Sequence, residues 1–400
     1  LLGTTSNSSF NWRSSSARRG EADARISGGS FTPTIYSGIA ICREEERKLQ
    51  IPSTLRHEKW RLVLGASLVL GVWVLELFSP ACSKLGASAL SVSASIAQEF
   101  RLNSHMLATE KTTAKRSPCK VNLLLNILGR RPDGFHDLET VMQPVNLCDD
   151  LTFEWAGAGI TLSCSDKTLP VDRGNLVYRA AEKFFSTAGI SGGVKIHLEK
   201  KIPLAAGLGG GSGNAATTLL ALNELFEKPL ASEKLFEIAA SLGSDIPFFL
   251  QHQPALGIGR GEKIQPLDNF PALANRAILL IHPGFGISTP WAYQNLKRFP
   301  DALNGEKGRA QKLISLLQTS DLMSAASGFY NSLEAPAFEK FPILMMFKEF
   351  LAANGAVALM SGSGSTTFAI CDNLAAAQSI GEKFKSKFGS NCWMEAVGLD

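Results

Sequence analysis

The spacing of apolar and polar positions divides the chain near residue 112. Beyond it, short runs of period two alternate with longer runs of period three to four. Lys120 to Leu128 alternates at its start and predicts a strand, ending in the turn-forming run Gly129-Arg130-Arg131-Pro132-Asp133-Gly134. An apolar stretch reaches Leu147, and strands are predicted at Asp150 to Trp155, Thr161 to Ser163 and Val194 to Leu198. Asn175 to Ala188 puts Leu176, Val177, Ala180, Ala181, Phe184 and Phe185 at helical spacing, with Gly189 placed to end that helix. Residues 233–242 predict another helix, and the glycine-rich Leu256 to Glu262 a strand and turn. Composition shifts to Pro, Asn and Asp between Pro266 and Pro271, a candidate domain boundary. After it, strands at Ala277 to His282, Ala356 to Met360, Thr366 to Cys371 and Trp393 to Val397 interleave with helices near 290–297, 308–318, 340–353 and 374–387. That alternation of helices with antiparallel strands is the pattern of an α+β sandwich.

One stretch does not fit a core. Pro203-Leu204-Ala205-Ala206-Gly207-Leu208-Gly209-Gly210-Gly211-Ser212-Gly213-Asn214 is dense in glycine, and each glycine costs backbone entropy on ordering and buries no side chain. A helical pattern follows at once, with Ser212 or Asn214 available as its cap. A glycine loop feeding a helix start presents bare N–H groups at the positive end of the helix dipole, which is a phosphate site. No Lys-Ser or Lys-Thr closes the loop, which excludes a Walker A motif. It also does not sit in an early βαβ unit with an acidic residue about 20 positions on, as a dinucleotide fold requires. A flexible linker would lack the strand before it and the helix after it.

Composition narrows the function classes. A net charge of +4 over 400 residues argues against nucleic acid as a partner, and much of the excess lies in residues 1–105, with 12 Lys/Arg against 8 Asp/Glu. The seven cysteines are scattered with no C-x-x-C pair, against a zinc site or a disulfide framework and in favour of a reducing compartment; no metal-ligand cluster is predicted. The first hundred residues look foreign to the rest. Residues 1–30 are rich in Ser, Arg and Gly. An uncharged apolar run, Leu62 to Leu75, follows Lys59 and Arg61, and a Ser/Ala-rich, acid-poor stretch covers 83–98. The run is short for a membrane span, which needs about 20 residues. A basic flank, an apolar segment and small residues beyond it have the pattern of a targeting leader, with a single membrane anchor as the alternative.

Three separated segments resemble the three motifs of the GHMP kinases: Ser117-Pro118-Cys119-Lys120-Val121-Asn122-Leu123, Pro203 to Thr217, and Leu359-Met360-Ser361-Gly362-Ser363-Gly364-Ser365. Gly129 to Leu138 and Gly243-Ser244-Asp245-Ile246-Pro247-Phe248-Phe249 are similar to one branch of that family, the kinases of 4-diphosphocytidyl-2-C-methyl-D-erythritol in the non-mevalonate isoprenoid route. The resemblance covers about residues 115–400. It implies a two-domain α+β fold, with a ribosomal-protein-like N-terminal domain over 113–270 and a ferredoxin-like C-terminal domain over 271–400, behind a targeting extension at 1–112. It also implies ATP and Mg²⁺ as cofactors and a small-molecule CDP-alcohol as partner, with no nucleic acid or stable membrane association; the leader-like segment 59–90 separately points to a plastid location. By the same resemblance, Pro203, Leu204, Ala205, Ala206, Gly207, Leu208, Gly209, Gly210, Gly211, Ser212 and Gly213 would wrap the ATP phosphates, with Asn175 and Leu176 beside adenine. Lys120 and Asp245 would be the catalytic pair, and Asn122, Phe135 and His136 would meet the cytidine substrate. Phe135 stands where many relatives carry tyrosine, which keeps ring stacking and loses a hydroxyl contact. The loop departs from the family at Ser212-Gly213-Asn214, where relatives usually read Gly-Ser-Ser-Asn, and this implies a hydroxyl lost beside the phosphates. Cys119 replaces the usual alanine.

Overall fold

The computed structural model describes residues 112–319 and 321–399, together with short strands at Trp12–Arg13, Asp23–Ile26, Gly29–Phe31, Ile39–Arg43, Arg61–Ser67 and Val72–Phe78. Residues 1–109 and 110–400 are two separate compact units. In the first, the apolar run Leu62 to Leu75 falls on the two strands Arg61–Ser67 and Val72–Phe78, paired antiparallel. Among the described residues no helix is long and apolar enough to cross a membrane.

The second unit opens with two long strands, β1 (Thr112–Arg130) and β2 (His136–Ala156), paired antiparallel through most of their length. The apolar stretch up to Leu147 is therefore part of β2. β1 alternates outside its bulges and is buried on both faces through its middle. Its register shifts between Pro118 and Cys119, between Asn122 and Leu124, and between Ile127 and Gly129. Each extra residue re-aims the side chains beside it, and bulges of this kind gather next to active sites. Lys120 and Asn122 lie between the first two.

The other edge of β2 is shared. Its C-terminal end pairs with β4 (Gly193–Glu199), which in turn runs parallel to β3 (Gly159–Cys164). Its N-terminal end pairs with β5 (Ala255–Gly259), which continues to β6 (Lys263–Pro266). Residues 143–149 of β2 carry neither partner, and the glycine loop leaves the sheet beside this gap.

Three helices cover this sheet. α1 (Leu176–Ala188) starts on Asn175, whose Oδ1 accepts the Val177 N–H, and ends at Gly189 with φ +65°. α2 (Gly210–Leu225) is buried along most of its length because it is sandwiched between the sheet and its neighbours α1 and α3 (Ser232–Leu242). Val177, Phe184, Leu219, Leu222, Phe153 and Ile196 form the core between them.

The second sheet is β7 (Arg276–His282), β9 (Val357–Met360), β10 (Thr367–Cys371) and β11 (Trp393–Leu399), in the order β9-β10-β7-β11 and antiparallel throughout. α4 (Thr289–Asn295), α5 (Arg309–Thr319), α6 (Glu334–Lys340), α7 (Pro342–Ala353) and α8 (Leu374–Phe388) complete this half. Between α5 and α6, the two-residue strand β8 (Tyr330–Asn331) crosses to the first sheet and pairs parallel with Leu124 and Leu125 of β1. One apolar cluster runs through both halves, joining Val121, Leu208, Phe270, Ile278, Leu313 and Phe368. Between Pro266 and Pro271 the chain is irregular and puts Phe270 into that shared core.

Candidate active site

A cavity of about 700 Å³ opens where β1, the glycine loop, α1 and the start of α4 meet. The loop that forms its floor is shaped by backbone. Ala205, Gly207 and Gly209 have φ of +50°, +77° and +70°. Gly207 is obligatory on space as well as angle, because a Cβ there would fall 2.1 Å from the Ser361 carbonyl oxygen. The loop carbonyls face away from the cavity: Ala206 O accepts from Thr366 N at 3.1 Å and Gly207 O from Ser361 Oγ at 3.0 Å. With Ala206 O and Gly207 O taken by the second half, Leu208 O by the Lys120 N–H and Gly209 O by the Gly213 N–H, the loop is left with N–H groups to offer.

α2 begins earlier than its sequence suggests. Its N-cap is Gly209, which has no side chain to cap with, and neither Ser212 nor Asn214 serves. The first helical bond runs from Gly213 N to Gly209 O, so the N–H groups of Gly210, Gly211 and Ser212 point out of the helix start unpaired by it. Sequence reasoning favours a hydroxyl or amide cap there because such caps stabilise ordinary helices by about 1 kcal/mol. A side-chain cap there would take up one of those N–H groups. Gly213 faces the other way: a Cβ there would meet the Pro118 carbonyl oxygen at 2.7 Å and Ser117 Oγ at 3.0 Å. The hydroxyl expected to be missing from the phosphate side is thus missing from the packing of α2 on β1, and Gly213 is not part of the cavity wall.

Lys120 enters from between the two bulges, only 3% exposed. Its Nζ donates to Asn122 Oδ1 at 2.5 Å and lies 3.5 Å from Asp245 Oδ2. Asn122 is fixed in turn, its Nδ2 donating to Thr140 Oγ1 at 2.9 Å, while that hydroxyl donates to Leu124 O. Asp245 follows the end of α3 and precedes the short 3-10 turn Pro247–Leu250, which takes no side-chain cap. Its carboxylate is therefore free of the structural role that its position before Ile246-Pro247 suggests, and it is 44% exposed to the cavity side.

The remaining residues divide. Asn175 lines the wall, yet both ends of its amide are committed, Oδ1 to Val177 N and Nδ2 to Pro170 O. Phe135 and His136 stand at the rim. The Phe135 ring lies under the Arg260 guanidinium at 4.8 Å, and the His136 ring is 5.2 Å from that of Tyr293; Arg260 and Tyr293 both line the cavity. Burial, then the charge of Arg130, pushes the His136 pKa down, so its ring is neutral at neutral pH, with one nitrogen donor and one acceptor. Burial and the nearby Asp245 charge push the Tyr293 phenol up.

Lys200 and Tyr293 were not legible as site residues. The Lys200 ammonium pairs with the fully buried Asp149, whose other oxygen accepts the N–H groups of Lys201 and Ile202 at 2.7 and 2.9 Å. That leaves Lys200 Nζ 3.3 Å from where a Cβ on Gly210 would stand, beside the helix start. The only hint was its place just ahead of the loop. Tyr293 gave none, since an aromatic on a short helix reads as core.

Residues 175–253 match the GHMP kinases N terminal domain and residues 310–391 the GHMP kinases C terminal domain. The 4-diphosphocytidyl-2-C-methyl-D-erythritol kinase of Syntrophus aciditrophicus is 43% identical over 260 residues, covering 64% of this chain and 89% of that protein. The chain belongs to this family of GHMP kinases. The kinase of the same name from Geobacter sp. (strain M21) is 39% identical over 283 residues, 70% of this chain and 96% of its own length. A crystal structure of 4-(cytidine 5'-diphospho)-2C-methyl-D-erythritol kinase superposes with TM-score 0.59 at 35% identity, covering 72% of this chain and 99% of that one. Homoserine kinase from Cytophaga hutchinsonii shares the fold, with TM-score 0.57 at 20% identity over 73% of this chain and 96% of its own. As a GHMP kinase the chain uses ATP on a small-molecule acceptor, and its α+β fold is that of the family.

Proposed function

We propose that this kinase transfers the γ-phosphoryl group of ATP to the 2-hydroxyl of 4-diphosphocytidyl-2-C-methyl-D-erythritol. The observation that carries the reading is the Lys120–Asp245 pair, 3.5 Å apart, at the foot of a loop whose amides face one cavity. The acceptor is a tertiary alcohol, a poor nucleophile that must lose a proton as it attacks. The Asp245 carboxylate takes that proton while the new oxygen–phosphorus bond forms and the bridging bond to the β-phosphate breaks, releasing ADP. The Lys120 ammonium, beside that carboxylate, offsets charge on the phosphoryl oxygens. The N–H groups of Gly210, Gly211 and Ser212 would receive the ATP phosphates, with Lys200 adding positive charge beside them.

Among the described residues no cluster of three or more His, Cys, Asp or Glu side chains forms a metal cage. Mg²⁺ in kinases rides on substrate phosphates with one or two protein oxygens. Ser212 lines the cavity, and so does Asn214, whose buried Oδ1 has no partner among the described residues; both fit as such donors. Bound there, Mg²⁺ would screen the phosphate charge. At the rim, the neutral His136 ring can give and take one hydrogen bond at a cytosine edge, beside the Tyr293 ring on the cavity wall.

A plastid location is proposed on the basic flank, apolar run and Ser/Ala-rich stretch between residues 59 and 98. The test of the main reading is a γ-phosphate transfer assay with the CDP-alcohol, homoserine and mevalonate as acceptors. Transfer confined to the CDP-alcohol is expected, and transfer to homoserine or mevalonate instead would overturn it.

A further inference from the structure

Asn331 lies far from both halves of the catalytic pair in sequence and outside the cavity wall. It is 2% exposed, and its backbone belongs to β8, locked beside β1 through the Ser332 N–H donating to Leu125 O at 2.8 Å. Its side chain reaches to the second sheet. Nδ2 donates to Met360 O at 2.7 Å and to Gly362 O at 2.8 Å, while Oδ1 accepts the Leu333 N–H at 2.9 Å. Two carbonyls on one side and an N–H on the other fix the orientation of the amide. Among short side chains only asparagine supplies two donors and an acceptor in that geometry.

The turn it holds matters because of what lies on its other side. Gly362 has φ +57°, and a Cβ on it would stand 3.0 Å from Gly207 O, 3.4 Å from Asn122 Oδ1 and 3.5 Å from Lys120 Nζ. The next residue, Ser363, meets Thr289 Oγ1 at 2.8 Å, at the head of the helix that carries Tyr293. The turn is thus packed against the lysine and the loop, and on its outer face Asn331 is what fixes the Gly362 peptide.

We propose that Asn331 is a positioning residue for phosphoryl transfer, setting the Lys120 ammonium and the Gly207 carbonyl in register by clamping the Gly362 turn. This rests on the reading of Lys120 and Asp245 given above. Misplacement of a reacting group by about 1 Å costs on the order of 100-fold in rate. The turn region bonds the loop at Ala206 O and Gly207 O, ahead of the Gly210, Gly211 and Ser212 amides at the α2 start. Asn331→Ala should therefore lower kcat by about 10- to 100-fold with KM for ATP and for the CDP-alcohol changed less than about threefold.

Glu334 gives the comparison. It accepts the Met360 N–H at 2.9 Å and pairs with Lys348, so it holds the same strand end without touching the turn. Glu334→Gln should lower the thermal midpoint and keep kcat within about twofold. Gly362→Ala, which presses the turn from its inner face, should reproduce the kinetics of Asn331→Ala. The double variant should lose little more than either single one, because both act through one turn. Asn331→Ser, which keeps one donor, supplies an intermediate if the alanine variant does not fold. All rates are to be read below every midpoint. Wild-type kcat in a folded Asn331 variant, or multiplicative losses in the double variant, would overturn the proposal. An inactive wild type would instead count against the reading of the reaction.

Discussion

Asp245 is half-exposed, yet the one side chain it pairs with is among the most buried lysines of the molecule. Burying an ammonium is costly unless it is paired, so Lys120 spends its burial on holding that carboxylate and Asn122. Asp245→Asn keeps the shape and removes the proton acceptor. A kcat loss on the order of 10²–10⁴ is expected, with ATP binding and thermal stability near wild type, measured by steady-state kinetics and nucleotide titration. Gly213 is the opposite case. Gly213→Ser should depress the thermal midpoint, because its Cβ would meet the Pro118 carbonyl oxygen at 2.7 Å, and leave KM for ATP unchanged. A raised KM with normal stability would put the side chain back among the phosphates. At this scale the glycines were legible because they depart from what a core asks for, whereas Lys120 and Asp245 were legible only through the resemblance of their motifs to a known family. Tyr293 and Lys200 were not, since their roles come from what the fold brings next to them.

At the scale of elements, the predicted strands and helices match in place and miss in extent. The segment up to Leu147 and the strand after it are one strand, β2, because two different partners share its far edge. No local pattern reports a change of partner. The α2 start was misplaced for a related reason: cap preference measures helix stability, whereas this terminus is left open. α1 shows the ordinary rule. Asn175 caps it through Oδ1 and Gly189 ends it where the sequence places the end, and Asn175→Ala should cost about 1 kcal/mol of stability by chemical denaturation. Since both polar ends of that amide are engaged in the cap and in Pro170 O, the loss should appear in stability before it appears in KM for ATP.

For the molecule as a whole, pH enters through His282. It is 6% exposed at the end of β7, with Nδ1 3.2 Å from Ser365 Oγ, a hydroxyl that also donates to the Phe285 carbonyl. Burial pushes its pKa below the usual value of 6.5. The unfolded chain therefore takes up a proton first as pH falls. Stability should be level above about pH 6.5 and decline below it, until the folded-state pKa is passed. Thermal midpoints between pH 7.5 and 5 should show this slope, and His282→Asn should reduce it to the smaller part left by His136, whose pKa is also pushed down. The proposed leader is tested at the same scale: mass spectrometry of the protein from its source should find an N-terminus beyond residue 60, and one before it would remove the case for plastid import.

The strand β8 has a consequence for how the chain comes to be folded. The partners Ile127 N and Ser332 Oγ are 205 residues apart, and β8 alone covers the outer edge of β1 at Leu124 and Leu125. A chain emerging from the ribosome completes both long strands, the glycine loop and α2 well before residue 331 is made. Until then the edge of β1 is an open template for pairing with another chain, and the loop carbonyls at Ala206 and Gly207 lack the turn that takes them. The nascent N-terminal half is thus the stage at which this enzyme most needs a chaperone, and a chain cut at residue 270 should aggregate where the whole one stays in solution.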